Sequence, residues 1–219
     1  MNPVTSLSAL RARAVFDRDE IERLRWFQTI RYFDSGLLAT LPAELPADLH
    51  IDDSIYFGVY CGDEICGTVR IVRTEGRLPM LSHHTLDPEF EAYLARERNT
   101  VAEVSRLAVG RHTEPRQVLA MLIREFLRFG LRHQEATLLV ASVEPPLVRV
   151  ANRLLGMPLR VIGPPIDQYG DYLGKCVPIL VDTVECLEKV RNKSSRYWEF
   201  FMEDMVLDLT TPLPARAAT

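Results

Sequence analysis

Residues 101–109 read Val101-Ala102-Glu103-Val104-Ser105-Arg106-Leu107-Ala108-Val109, and the architecture hangs on what this run is. Aliphatic and small residues at both ends give it the composition of a buried β-strand. Its middle nevertheless carries a carboxylate, a hydroxyl and a guanidinium. Side chains two apart on a strand share a face, so Glu103 and Ser105 point one way, and Val104 and Arg106 the other unless a bulge intervenes. Polar groups on a central strand cost free energy unless they are paired or used. Either Arg106 pairs with a neighbouring carboxylate or the trio belongs to a site, and the strand alone leaves both readings open.

Upstream lies the clearest strand signal in the chain. Ile55, Phe57, Val59 and Cys61 alternate with other residues, Gly62-Asp63 makes a turn, and Ile65–Val72 returns. This spacing predicts an antiparallel hairpin. Before it, Ile21, Leu24, Phe27, Ile30 and Phe33 repeat on one helical face, with Asp17 or Asp19 as cap and Gly36 as stop. A Pro-rich loop with Pro42 and Pro46 joins helix to hairpin. Between hairpin and strand, residues 74–87 read as a loop with Gly76, Pro79 and the His83-His84 pair, and Pro88 opens a short helix to about Arg98.

Downstream, Val118, Met121, Leu122, Phe126 and Phe129 form a helical stripe expected to close near Gly130. Thr137–Val143 is a buried strand, Leu147–Leu155 a helix ending at Gly156, and Leu159–Ile162 and Cys176–Val181 are further short strands. Thr183–Val190 and Arg196–Val206 read as terminal helices. An antiparallel start followed by one βαβ-like crossover predicts a three-layer α/β domain with a mixed, mostly antiparallel sheet flanked by helices. It excludes a sandwich, a bundle and a full doubly wound sheet. The chain has no GxGxxG, GxxxxGK[ST] or GxSxG motif. We expect a flexible N-terminus over 1–18, a single domain over 19–208 and a tail over 209–219.

Composition narrows the function further. With 26 basic and 30 acidic residues the formal net charge is −4, which argues against a nucleic-acid binder, because phosphate neutralisation supplies that affinity. The longest apolar stretches, such as Leu138–Val143, are too short to span a bilayer, and residues 1–30 have no apolar core of a secretory signal. A cytoplasmic protein with four reduced cysteines is expected. Cys61 and Cys66 flank the hairpin turn, but without a second pair at ligand spacing they read as structural thiols, and no metal site is expected.

Two basic features remain. Arg70 and Arg73 follow each other on the return strand an odd number apart, so at most one points inward; Arg70 is the expected one, suited to a carboxylate. The loop Gly110-Arg111-His112-Thr113-Glu114-Pro115-Arg116 enters a helix N-terminus. It reads as a phosphate site or as a plain polar turn.

Taken together, these stretches resemble two related groups: the acyl-homoserine-lactone synthases and the long-chain N-acyl amino acid synthases, both acyltransferases with the GNAT (N-acetyltransferase-like) fold. The similarity runs from about Leu24 to Asp182. Ala102–Val109 is similar to the signature strand of both groups, Gly67-Thr68-Val69-Arg70 to their hairpin motif, and Leu24-Arg25 to the Arg on their first helix. Leu154–Met157 with Ile162-Gly163-Pro164-Pro165 resembles their late Leu-Gly … Ile-Gly-Pro segment. Lactone synthases carry a Trp after the first helix and two Asp spaced three apart. This chain has Phe33-Asp34-Ser35-Gly36-Leu37-Leu38 and adjacent Asp52-Asp53 instead, so it resembles the amide-forming group more.

The resemblance implies acyl transfer from a thioester to an amine. Glu103 is the implied base, with Ser105 and Arg106 beside it. Arg70, Arg25, Asp52 and Asp53 are the acceptor-side residues. Leu107 and Val109 supply backbone N–H groups to the thioester, and Arg111 and Arg116 meet the donor phosphate. One glycine in the 110–116 loop suits a single phosphate, hence acyl-phosphopantetheine on an acyl carrier protein, or else CoA, as co-substrate with no tightly bound cofactor. Arg111, Arg116, Arg124, Arg128 and Arg132 are candidates to steer that acidic partner, the last three being equally a solvated helix face. The acceptor is an amino acid or, alternatively, S-adenosylmethionine as in an autoinducer synthase; a non-catalytic acyl-carrier or ligand-binding protein of the same fold is the third reading.

Overall fold

Residues 101–109 form the strand at the middle of an eight-stranded sheet. The computed structural model describes residues 10–73, 78–97, 101–111, 114–133, 137–155, 157–193 and 195–202. Its elements run β1 (Leu10–Val15), α1 (Arg18–Asp34), β2 (Ser54–Cys61), β3 (Glu64–Val72), a 3-10 turn (Pro79–Ser82), α2 (Pro88–Arg96) and β4 (Val101–Val109). Then come α3 (Pro115–His133), β5 (Leu138–Val143), α4 (Pro145–Val150) continued by a π-helical turn (Ala151–Leu155), β6 (Arg160–Val161), β7 (Ile166–Tyr169), β8 (Tyr172–Asp182), α5 (Thr183–Lys193) and α6 (Ser195–Met202). The strand order is β1-β2-β3-β4-β5-β8-β6, with β7 paired to β8. Neighbours are antiparallel except β4 and β5, the parallel pair linked through α3.

Local chemistry explains the elements that match expectation. Asp17 caps α1 by accepting the Glu20 N–H at 2.9 Å, and Gly36 lies just past its end with φ 77, a conformation that favours glycine. The hairpin of β2 and β3 turns at Gly62, φ 60. Other elements differ. Leu10–Val15, inside the stretch expected to be flexible, pairs with β2; Arg11 and Arg13 face solvent while Leu10, Ala12 and Ala14 are partly covered. Its alternation is carried by alanines, too weak a signal to stand out in sequence. α3 continues past Gly130 to His133, and β8 starts at Tyr172, forming with β7 a hairpin turned at Gly170. β7 reads Ile-Asp-Gln-Tyr and has no apolar alternation to announce it. Residues 1–9 of the flexible start expected over 1–18, Gly76, His112, Thr113, Gly156 and the tail over 209–219 lie outside the described residues.

Alternation along the strands separates two faces. On one, Phe57, Val59, Val69, Ile71, Ala102, Leu139, Ala141, Ile179 and Val181 pack against Val118, Leu122, Phe126 and Leu127 of α3. The fit is close at Gly67, where an added Cβ would lie 2.5 Å from Val118 Cγ1 and 3.1 Å from Leu122 Cδ1. Gly67→Ala is therefore expected to cost about 1–3 kcal/mol, a fall of roughly 2–12 °C in Tm. An unchanged melting curve would mean that α3 shifts away freely.

The opposite face is covered in two halves. α1 lies over the β2–β4 side, while Leu78, Met80, Leu86 and Leu94 pack on Val101, Leu138, Val140 and Leu180. Between these halves runs a seam, and β4 opens beneath it. β4 and β5 pair only from Val101–Leu138 to Glu103–Val140. Beyond that, β4 bulges against β3: the register slips between Thr68 and Arg70, and Arg106 takes φ 57, unusual for a residue with a side chain. Among the described residues no helix is long and apolar enough to cross a membrane.

Candidate active site

The seam collects the polar residues of the central strands. Glu103 is 1 % exposed, and its Oε2 accepts the Met80 N–H at 2.7 Å. Burial pushes its carboxyl up to about 7, against the opposing pull of the Met80 N–H, Arg70 and Arg106. Such a group changes protonation state near neutrality, as a general base must.

Beside it stands a second carboxylate. Asp48, on the Pro-rich loop, has a side chain only 2 % exposed. Arg70 Nη1 donates to both its oxygens at 2.9 Å, the Tyr56 hydroxyl donates at 2.8 Å, and Arg106 Nη2 lies 3.6 Å away. Burial raises the pKa of Asp48, but the two arginines, Tyr56 and the His50 N–H outweigh it and bring it down to about 2. Arg70 Nε donates to Ser105 Oγ at 3.0 Å, fixing the hydroxyl.

From Arg106 the network crosses to the β7–β8 hairpin. Arg106 Nη1 donates to Gln28 Oε1 at 3.3 Å, and Gln28 Nε2 donates to the Tyr172 hydroxyl at 3.4 Å. Tyr172 meets Tyr32 edge-on at 5.0 Å and stacks on Tyr169 at 6.5 Å. Tyr169 in turn lies 4.6 Å from the His83 ring and 5.7 Å from that of His84. α1, β3, β4, the 78–84 segment and the hairpin thus enclose one polar seam over the point where β4 and β5 part.

Glu103, Ser105, Arg106 and Arg70 come together because the bulge turns Arg106 onto the Glu103 face. Of the two readings left open for Arg106, the pairing with a carboxylate is present, and the carboxylate is Asp48. Arg73 corrects the expectation that at most one of the paired arginines is inward: both are buried. It follows the last residue of β3, where strand alternation no longer governs, and its N–H donates to the Asp53 carbonyl at 2.8 Å.

The acceptor-side acids also differ. Asp52 is exposed and ion-paired with Arg18, and Asp53 contributes its backbone carbonyl to Arg73. The acid joined to Arg70 is Asp48, which sequence reasoning missed; a loop residue between Pro46 and Leu49 has no periodicity to mark it. Arg25 is buried and donates to the Pro46 carbonyl, holding the loop that carries Asp48. Leu107 and Val109 lie on β4 beyond its pairing with β5. Their carbonyls accept from Tyr32 Oη at 3.2 Å and Arg31 Nε at 3.0 Å, so α1 lies against this end of the strand.

Arg111 donates to the Asp34 carbonyl at the end of α1, and Arg116 is exposed in the first turn of α3. Arg124 and Arg128 are not on a solvated face: Arg124 pairs with Glu125 and covers the Phe200 ring, while buried Arg128 donates to the Phe201 carbonyl at 2.8 Å. They dock α6, which removes them from steering a partner. The Arg132 side chain lies outside the described residues. All four cysteines are free thiols, and among the described residues no three His, Cys, Asp or Glu side chains gather as metal ligands.

Residues 29–173 match the family model of the N-acyl amino acid synthase FeeM. No curated protein sequence matches the chain. Among solved structures it is similar to FeeM, an N-acyl amino acid synthase from uncultured soil microbes, at 19% identity and TM-score 0.64 over 84% of this chain and 98% of that one. It is similar to MesI, a CoA-dependent acyl-homoserine lactone synthase, at 18% identity and TM-score 0.55 over 83% of this chain and 94% of that one. An acetyltransferase of the GNAT family from Streptococcus pneumoniae aligns at 12% identity and TM-score 0.50, over 78% of this chain and 97% of that one. The fold is the GNAT-like three-layer α/β architecture.

Proposed function

Since the chain belongs to the family of the N-acyl amino acid synthase FeeM and is an acyltransferase, we propose that it moves a fatty acyl chain from a thioester to the α-amine of an amino acid. The observation that carries this reading is Glu103, a buried carboxyl held near neutrality beside the parting of two parallel strands. An amino acid acceptor arrives as an ammonium ion and must lose a proton before it attacks. Glu103 takes that proton directly or through a water. The freed amine adds to the thioester carbonyl, and backbone N–H groups around Leu107–Val109 steady the developing oxyanion.

The acceptor carboxylate falls to Arg106 rather than to Arg70. Arg70 is committed to Asp48 and Ser105, whereas the Arg106 side chain is 19 % exposed and makes longer contacts. Arg70 then serves as the strut that fixes Asp48, and Asp48 aims Arg106. The donor is an acyl-phosphopantetheine thioester. Arg111 and Arg116, at the entry to α3, suit its single phosphate and an acidic acyl carrier protein, and CoA is the other donor of the same chemistry.

Purified protein given fatty acyl thioesters with mixed amino acids is expected to yield an acyl-amide mass. If the acyl thioesters with S-adenosylmethionine in place of the amino acids yield an acyl lactone together with methylthioadenosine and free thiol, the acceptor reading is overturned in favour of autoinducer synthesis.

A further inference from the structure

The His83-His84 pair has one member tied into the seam by a second contact. Ser142 stands on β5 two residues past Val140, the last β5 residue paired with β4. Continued pairing would set it opposite Ser105. Because β4 bulges away, Ser142 instead lines the far wall of the opening, on the Glu103 face. Its Oγ is 2.8 Å from His84 Nε2.

His84 is 6 % exposed, and its Nδ1 is buried with no hydrogen-bond partner among the described residues. The His84 N–H donates to the Met80 carbonyl at 3.0 Å while the Met80 N–H donates to Glu103, so one short segment braces both the carboxylate and the His84–Ser142 pair. Burial, with His83 adding to it, lowers the pKa of His84, and the unpartnered, buried Nδ1 likewise favours a ring carrying a single N–H. A neutral ring has one N–H. A buried N–H without a partner is rarer than a bare acceptor, which assigns the hydrogen to Nε2. Nε2–H then donates to Ser142 Oγ, and the Ser142 hydroxyl hydrogen must point elsewhere.

We propose that Ser142 hydrogen-bonds the leaving sulfur of the acyl thioester, and that His84 is the positioning residue that turns the Ser142 hydroxyl toward it. The inference rests on the acyl-transfer reading above. The acceptor ammonium loses one proton to Glu103, the freed amine forms the C–N bond, and the nitrogen sheds its second proton to solvent as the adduct collapses to the amide. The C–S bond breaks, and its electron pair goes to sulfur, which departs as a thiolate held by the Ser142 O–H and takes a proton from solvent on release. A donor on the leaving group matters most for an alkyl thiolate, the poorer leaving group, and little for an aryl thiolate. Cys176 on β8 also lies within hydrogen-bonding reach of Ser142, and Cys176→Ala is the control for that competing contact.

The test compares fatty acyl thioesters of pantetheine with those of thiophenol, following both thiol release and amide formation. Ser142→Ala is expected to lose roughly ten- to hundredfold in kcat on the pantetheine ester at unchanged KM. On the thiophenol ester the loss shrinks to less than about threefold. His84→Gln, whose amide N–H replaces the Nε2 donor, keeps most of the rate, and His84→Leu follows Ser142→Ala. Equal losses on the two esters, no loss on either, or a fully active His84→Leu would overturn the proposal. Thiol release without amide would instead overturn the acceptor reading, and the Ser142 comparison is still read from the thiol.

Discussion

Glu103→Gln is expected to lower kcat by roughly 10²- to 10⁴-fold while leaving the fold intact. The amide keeps the shape of the side chain and an oxygen to accept the Met80 N–H, so only the proton-accepting power is lost. In the wild-type protein the rate is expected to rise with pH through about 7, the range to which burial pushes this carboxyl. The same shift acts on stability with a definite sign. A carboxyl whose pKa is raised from 4.5 to about 7 favours the folded state below the unfolded value, and that contribution is lost as pH rises through about 7. Above neutrality the wild-type protein must hold a buried anion that the glutamine variant does not. Glu103→Gln is therefore expected to melt higher than wild type at about pH 8, with a smaller difference at about pH 5. Activity retained in the variant, or a flat pH–rate profile across neutrality, removes Glu103 from the base role.

The second large effect is structural. Asp48→Ala leaves Arg70 and Arg106 in the seam without their shared carboxylate, and removing one partner of a buried ion pair costs about 3–5 kcal/mol. For a chain of this size that is a fall of roughly 6–20 °C in Tm. Replacing both charges with apolar residues, as in Asp48→Leu with Arg70→Met, is expected to recover much of the stability and none of the activity, since Arg106 then loses its aim. The pH dependence runs opposite to that of Glu103. A carboxyl lowered from 3.8 to about 2 contributes stability above the unfolded value and loses it as pH falls toward about 2. Acid unfolding of the wild type is thus expected to steepen below pH 3.8, and Asp48→Asn to flatten that limb. A change in Tm under about 2 °C for Asp48→Ala would show that the loop does not hold the arginines.

Much of this protein is written in local pattern. The hairpin of β2 and β3 and the stripe of α3 are legible because each repeats its apolar residues at the period of the element it forms, and the strand at 101–109 because aliphatic and small residues frame it at both ends. Glu103 was legible for the opposite reason, as a charge in the middle of a run with the composition of a buried strand. The strand pattern also named Ser105, Arg106 and an inward Arg70.

What it left out depends on contacts between residues far apart in the chain. Whether Arg106 faced Glu103 or turned its back rested on a positive φ and a slipped register against β3, neither of which has a residue-level signature where no glycine or asparagine marks the bend. Asp48 and not Asp52 or Asp53 meets the arginines because Arg25 ties its loop to α1, and loops carry no period. Tyr169, Tyr172, Ser142 and His84 reach the seam from β7, β8, β5 and the segment just after the 3-10 turn, each through sheet pairing, ring contacts or a hydrogen bond rather than through spacing in sequence. Residue types and their periodicity determined the elements and the kind of chemistry. The partners of each charged group were set only when β4 bent away from β5 and opened a buried space for them to fill.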